Sequence, residues 1–550
     1  MNAALAKLDR NRPLAGLAAA MAAAAVLMLA LGSGLTFIQD TWFFLLQRPG
    51  FSAETFFGPH NEHIVAIPVG IEKLLVELFG TSSALPERLV LVALLLTTAA
   101  LVFVYARRRV GPWPALIAAV LLLFLGPAWS VLLWPFETVL VGSVLAGVGM
   151  LLALDRDDRR GDIWACLLLV VAVGFSSLGV AFLAAAAADL LLRRRQRGLA
   201  RVWVVAVPAL LYLGWYLGWG HTSEHHVTLD NVLRSPVYTL NGFASALAAL
   251  LGLSTIDVSD VGQPEWGRPL LVGAIGLVLY GQTRRRGFSP RLWPVLAAAV
   301  AYWLLAAFNY QPGRDAVAGR YSYAGAVFVL LIAAELLRGV RFSRAALWVG
   351  AGVAAVAVVS NLAYFRMGEH WLRDLSVLTR ADTAAIEIAG RTVAPDFSLT
   401  PEVAGTASLQ AIRADSYLEM VRDHGSPAYS ATELAAAPAT ARRQADIVLT
   451  NALPVTTETQ AGAYRRGVVG ACDNVSGDAE IELSPGLTRV EIAPGPDVSI
   501  GLRRFAAGEY PVETDGIPGG SVTLLRIPRD GAPQPWFLQV RAEQPAQVCR

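Results

Sequence analysis

Leu89 through Arg109 reads LVLVALLLTTAALVFVYARRR. The stretch from Leu89 to Tyr105 carries no charge, and Arg107, Arg108 and Arg109 close it. An apolar run approaching ~20 residues reads as a membrane span. Arginines crowded at one end mark the cytoplasmic side. The same pattern recurs along the first two thirds of the chain. Leu14–Ile38 follows Lys7, Arg10 and Arg12. It starts like a signal peptide but is longer than one and has no clear A-x-A site, so it reads as a retained first span. Trp113–Leu154 holds two spans divided at Gly126-Pro127. Ile163–Leu192 holds two short ones divided at Gly174–Gly179. Val202–Trp219, Leu270–Tyr280, Leu292–Phe308, Tyr323–Leu337 and Ala345–Tyr364 complete a count of about eleven. With the N-terminus inside, the arginine clusters, including Arg284, Arg285, Arg286, Arg338, Arg341 and Arg344, fall in cytoplasmic loops. Residues 39–88, 220–268 and 365–550 then lie outside.

The bulk composition agrees with this pattern. Of 550 residues 55% are hydrophobic and 16% charged, against about a quarter charged in soluble domains. A net charge of +2 gives no field to attract nucleic acid, which is excluded as a partner. The Ala- and Arg-rich, Lys-poor usage is that of a GC-rich bacterial genome, such as an actinobacterium's.

Residues 365–453 read as helical, because Trp371-Leu372, Leu375, Leu378 and Ala385-Ile386 recur at helix spacing. Residues 454–550 change to short runs such as Arg489–Ile492 and Val522–Ile527, separated by turns such as Ser484-Pro485-Gly486. That is the signature of a small β-sandwich. The fold class is therefore an α-helical polytopic membrane protein, with a transmembrane domain over 1–364 and a helical plus β-sandwich C-terminal region outside the cytoplasm. Of the three cysteines, Cys166 sits in an apolar run, whereas Cys472 and Cys549 lie in the outer region. That compartment is oxidising, so these two are expected to form a disulfide with Cα atoms about 5.5 Å apart.

The polar residues beside the spans are the candidates for chemistry. Asp40 follows the first span, and Trp42 behind it reads as an interfacial aromatic. Asp40 is either a solvated helix-end carboxylate or a general base at a membrane-embedded cleft. Downstream stands Gly58-Pro59-His60-Asn61-Glu62-His63. The spacing of His60, Glu62 and His63 does not match HExxH, so these residues read as a hydrogen-bonded loop or as ligands for sugar hydroxyls. A metal is not indicated, and no cofactor is expected. After the ninth span come Arg314, Arg320 and Tyr321. Arginine beside a span is costly, and its planar fork suits phosphate; the alternative is simple anchoring of a helix end. Arg320 is favoured over Arg314 because it abuts the next span. Glu137 opens the fourth span, as a second cleft carboxylate or a snorkelling end residue. His221, Glu224, His225 and His226 read as a solvated loop. Tyr510 and Trp536 are either sugar-stacking aromatics or β-domain core.

In their order, Asp40 at the end of the first span, the His60–His63 element in a long first outer loop, about eleven spans and an outer C-terminal domain resemble the GT-C superfamily of integral membrane glycosyltransferases. The resemblance covers roughly residues 14–364. It implies a polyprenyl-phosphate sugar donor, a glycan or lipid acceptor on the outer face, and Asp40 as base. Many members carry two adjacent acids at that place, where this chain has Gln39-Asp40. The Arg320-Tyr321 pair is similar to a superfamily element that holds the lipid phosphate. The competing classes are a transporter or flippase of a lipid-linked precursor, and a non-catalytic envelope protein. Ion-coupled transport would call for charge in mid-span, and the spans read as nearly free of it.

Overall fold

The computed structural model describes residues 2–192, 198–223, 226–255, 263–283, 288–394, 396–400, 403, 412–453, 455–463 and 472–549. Glu224, His225, Arg284, Arg285 and Arg286 lie outside the described residues. The chain divides into two units. The first comprises Met1–Gly34, Gly50–Leu74 and Leu85–Leu372, and the second Leu35–Pro49, Leu75–Ala84 and Arg373–Arg550.

In chain order the helices are α1 (Asn2–Leu31), α2 (Thr41–Leu46), α3 (Ala53–Phe57), α4 (Ala66–Phe79), α5 (Leu85–Val110), α6 (Pro112–Leu123), α7 (Trp129–Leu133), α8 (Thr138–Leu154), α9 (Arg159–Phe175) and α10 (Gly179–Leu192). They continue as α11 (Trp203–Gly218), α12 (Leu229–Leu250), α13 (Gly267–Thr283), α14 (Leu292–Phe308), α15 (Gly319–Leu336) and α16 (Arg344–Ala389). Each apolar run read from the sequence coincides with one of these helices. Among the described residues, however, only five helices are long and apolar enough to cross a membrane, or six if the bent pair Pro112–Leu123 and Gly126–Leu133 counts as one. Helices such as α10 and α11 are too short for a bilayer of about 30 Å at 1.5 Å per residue, so the eleven runs are not eleven full crossings by length. The 45° bend between α6 and α7 falls at Gly126, where a Cβ would stand 1.9 Å from the Asn361 carbonyl oxygen. Only glycine permits that approach.

Four readings change. The first helix stops at Leu31, short of Ile38, and Gly32 follows with the Arg88 side chain against it. Trp42 is no interfacial aromatic: it is 2% exposed and packs edge-on to Phe37 and Tyr417, at 6.0 and 5.8 Å, in the core of the second unit. The segment 220–268 is not merely a loop, because α12 occupies much of it and runs through Pro236. No break falls at residue 364, since α16 continues to Ala389.

The second unit adds β1 (Ser398–Leu399), β2 (Ile412–Arg413), α17 (Ala414–His424), α18 (Ala431–Ala435), α19 (Ala439–Ala452), β3 (Thr456–Gln460), β4 (Cys472–Leu483), β5 (Gly486–Ile492), β6 (Val498–Arg503), β7 (Val512–Ile517), β8 (Val522–Ile527) and β9 (Trp536–Cys549). β3 to β9 form one seven-stranded sheet, ordered β3-β8-β5-β9-β6-β7 with β4 also on β9, rather than the two facing sheets of a sandwich. The reason is the long β9, whose Phe537–Arg541 pairs with β6 and whose Ala546–Cys549 pairs with β5. β4 lines its other edge throughout, with Cys472 opposite Cys549. These two cysteines form a disulfide with Cα atoms 4.1 Å apart. Cys166 is free and buried. Trp536, Leu538 and Val540 alternate into the core, which makes Trp536 a core residue and removes it as a sugar-stacking ring.

A buried carboxylate ties α19 to the sheet. Asp446 accepts the backbone N–H groups of Arg504, Phe505 and Ala506, each at 2.9 Å. Asp446→Ala would strand three buried donors, and should lower stability by about 3 kcal/mol. Thermal unfolding of the purified protein tests this, and a midpoint unchanged from wild type would show that water replaces the carboxylate.

Candidate active site

The polar centre of the first unit is built around the His60–His63 turn. Ser52 caps α3 by accepting from the Thr55 N–H at 3.2 Å, and the chain then turns at Gly58-Pro59. His60 N–H donates to the His63 carbonyl at 2.9 Å, and His63 N–H donates back to His60 at 3.0 Å. Between them Asn61 takes φ +50°, a conformation asparagine tolerates better than most residues. The turn is tied down from the break between α9 and α10. Ser177 Oγ there donates to the Glu62 carbonyl at 3.1 Å and accepts from Ile64 N–H at 3.4 Å. Trp215 on α11 donates its indole N–H to the Phe57 carbonyl at 2.7 Å.

So held, Glu62 meets Arg314, with Arg314 Nη1 at 2.9 Å from Glu62 Oε1. The Glu62 side chain is 11% exposed and that of Arg314 25%. Arg314 stands in the turn after α14, closed by its N–H on the Gln311 carbonyl and by Gly313 at φ +82°. Its own carbonyl accepts from Tyr238 OH at 2.9 Å. Burial works against the charge on Glu62, but His63 and Arg314 outweigh it and hold the carboxyl below the usual range. Burial pushes His63 down to about 4, with Glu62 opposing, so the imidazole is neutral at pH 7.

Around this pair the structure gathers most of the other nominated residues of the first unit. Tyr321, in the first turn of α15, lies edge-on to Tyr238 and Tyr302, both at 6.5 Å. It feels the charges of Arg320, Arg314 and Glu62. Arg320 is exposed. Glu137 is buried at the N-terminus of α8 and acts together with Arg320 on Tyr302. His60 reaches the same neighbourhood through Phe136, at 5.3 Å. Arg314 is thus tied to Glu62 by an ion pair.

Asp40 belongs to the second unit. It is half-buried and directly precedes α2, where its side chain makes no capping hydrogen bond. Gln39 before it sits at φ +48°, the left-handed region that costs a non-glycine residue energy and clusters at functional places. Tyr510 is hydrogen-bonded to Glu480 on β4. His221 and His226 form no metal cluster: among the described residues no group of three or more His, Cys, Asp or Glu is arranged to hold a metal.

Sequence reasoning missed Tyr238, because it lies on the unrecognised α12. It also missed a second, ionic cluster at helix ends. Glu335 is buried and accepts from Tyr105 at 2.7 Å, from Arg338 at 2.8 Å and from Arg109. Asp155 receives Arg109 and Arg291, and Arg201 bridges Asp162 and Asp189 at 2.7 and 3.4 Å. The helices thus carry more buried charge than the sequence reading allowed, but it lies at helix ends and is matched cation for anion, an arrangement that fixes geometry.

No family model matches the chain, and no curated protein matches it. Among solved structures it is similar to ArnT from Cupriavidus metallidurans bound to undecaprenyl phosphate, with a TM-score of 0.43 and 14% identity over 75% of this chain and 89% of that one. Chains related at that level share at most an outline, and side-chain roles do not transfer between them.

Proposed function

We propose that the protein is a membrane glycosyltransferase of the GT-C kind, which moves a sugar from a polyprenyl-phosphate donor to a glycan or lipid acceptor on the extracytoplasmic face. The observation that carries this reading is the Glu62–Arg314 pair beneath Tyr238 and Tyr321, with Arg320 exposed beside it. Arg314 and Arg320 stand in one neighbourhood with Glu62 and Glu137, and the planar guanidinium fork matches a phosphate. Arg314 and Arg320 would hold the donor phosphate and stabilise the charge that develops on it as the sugar leaves. Asp40, placed by the resemblance, would take the proton of the acceptor hydroxyl in a direct displacement that inverts the anomeric centre. Glu62 sets the position of Arg314, and His60 and the neutral His63 suit hydroxyl recognition. The reading calls for no cofactor.

The test is transfer of labelled sugar in membranes containing the full-length protein, supplied in turn with polyprenyl phosphates bearing hexoses and pentoses. Transfer from one of them is expected, and none from any donor would end the reading. The orientation is a separate proposal, with the N-terminus inside and the C-terminal unit outside. A phosphatase reporter fused after the last residue should be active and a cytoplasmic reporter silent. The reverse pattern would overturn the placement of every loop.

A further inference from the structure

We propose that Trp134 and Phe136, with His60 and Glu137 beside them, form a saccharide-binding platform in the first unit. The local sequence builds it. α7 ends at Leu133 because Pro135 forces the residue before it out of the helical region, and Trp134 is extended at φ −96°, ψ 115°. A single 3-10 turn, Pro135–Glu137, then leads into α8. This displaced turn puts the two rings side by side, with Trp134 and Phe136 stacked at 5.0 Å and an interplanar angle of 28°. His60 stands edge-on to Phe136 at 5.3 Å and 62°.

Three features distinguish the arrangement from ordinary core. Both rings are only partly buried, whereas core aromatics of this unit such as Trp303 and Phe328 are fully buried. The Trp134 indole N–H has no hydrogen-bond partner among the described residues, as is also true of the core residues Trp42, Trp303 and Trp536, but of these four only Trp134 has a half-buried ring that an incoming group can reach. Beside the rings stand an imidazole, His60, edge-on to Phe136, and Glu137, which directly follows Phe136 in the chain. A flat apolar wall with a few fixed polar groups is how a polyhydroxylated ring is oriented: its C–H face lies on the aromatic surface while its hydroxyls meet the indole N–H, the carboxylate and the imidazole. A phosphate or a bare lipid chain would use no such mixture.

The assignment of the sugar to a substrate rests on the glycosyltransferase reading; the binding chemistry does not. Either the donor or the end of the acceptor supplies the ring, and the test separates the two. In its first arm, full-length protein in nanodiscs is examined by saturation-transfer NMR with the methyl glycosides of glucose, mannose, galactose and arabinose. At least one should receive saturation through one face of its ring. The signal should vanish in Trp134→Leu and Phe136→Leu and persist in Trp134→Phe, which keeps a stacking ring. In the second arm the transfer assay is run on the same variants. Trp134→Leu should raise KM about tenfold for the substrate that brings the sugar, leaving the other KM and the binding of sugar-free polyprenyl phosphate unchanged. The phosphate binding also serves as the folding control, and Glu137→Gln stands in if a ring variant fails it. Loss of the glycoside signal without transfer from any donor would leave the platform standing and remove the reaction. Transfer at wild-type KM in both ring variants, or no glycoside signal in the wild type, would overturn the platform alone.

Discussion

Asp40→Asn should reduce sugar transfer by on the order of 10²–10⁴, with the protein still folded and inserted. Asparagine preserves the size and shape of the side chain but accepts no proton, so only a role in proton transfer is removed. The position is built rather than incidental. Gln39 is held at φ +48°, and the residues on either side, Phe37 and Trp42, are locked into the core of the second unit. A rigid backbone with local strain fixes where the Asp40 carboxylate stands. Because asparagine keeps the side chain's size and its hydrogen-bonding oxygen, the substitution should leave the unfolding midpoint nearly unchanged. The bland alternative, a solvated helix-end carboxylate, makes the same stability forecast and the opposite kinetic one. The measurement is therefore the single-turnover rate from a labelled donor at saturating concentration. Full activity would remove Asp40 as the base. Activity lost together with membrane accumulation would make it a structural residue.

What the sequence disclosed follows from the range of the forces involved. Apolar runs, their terminal arginines and the break at Gly174–Gly179 are local, and the helices begin and end close to where those signals lie. The alternation through Trp536, Leu538 and Val540 is also local, and all three are core. Other features depend on what arrives from far along the chain. Trp42 reads as an interfacial residue until Tyr417 covers it. α12 escapes notice because Pro236 and a run of polar residues break its apolar pattern, yet Tyr238, Ser245 and Ala249 on one side of it are buried by packing. The sandwich reading fails because strand spacing cannot reveal that β9 is long enough to serve two halves of one sheet. Nothing local tells that Glu62, 252 residues earlier, is the carboxylate that takes Arg314.

That pairing supports the second large effect. Arg314→Ala should lower transfer by on the order of 10³ and raise donor KM, because a phosphate ligand acts in both the ground and the transition state. It also leaves Glu62, 11% exposed, without its cation, at a cost of about 3 kcal/mol. The two consequences are separable. In the double variant Glu62→Gln/Arg314→Ala the stranded charge is gone, so stability should return while transfer stays low. Glu62→Gln alone should keep most of the activity, since Arg314 retains its fork. The pH dependence gives an independent sign. His63 is held neutral in the folded protein, down to about 4 from an ordinary 6.5. As pH falls through that window the unfolded chain takes up a proton that the folded one refuses, so stability should decline between roughly pH 6.5 and 4. His63→Gln should flatten that part of the profile. An Arg314→Ala variant with wild-type donor KM would show that the guanidinium serves Glu62 alone and that the phosphate is held elsewhere.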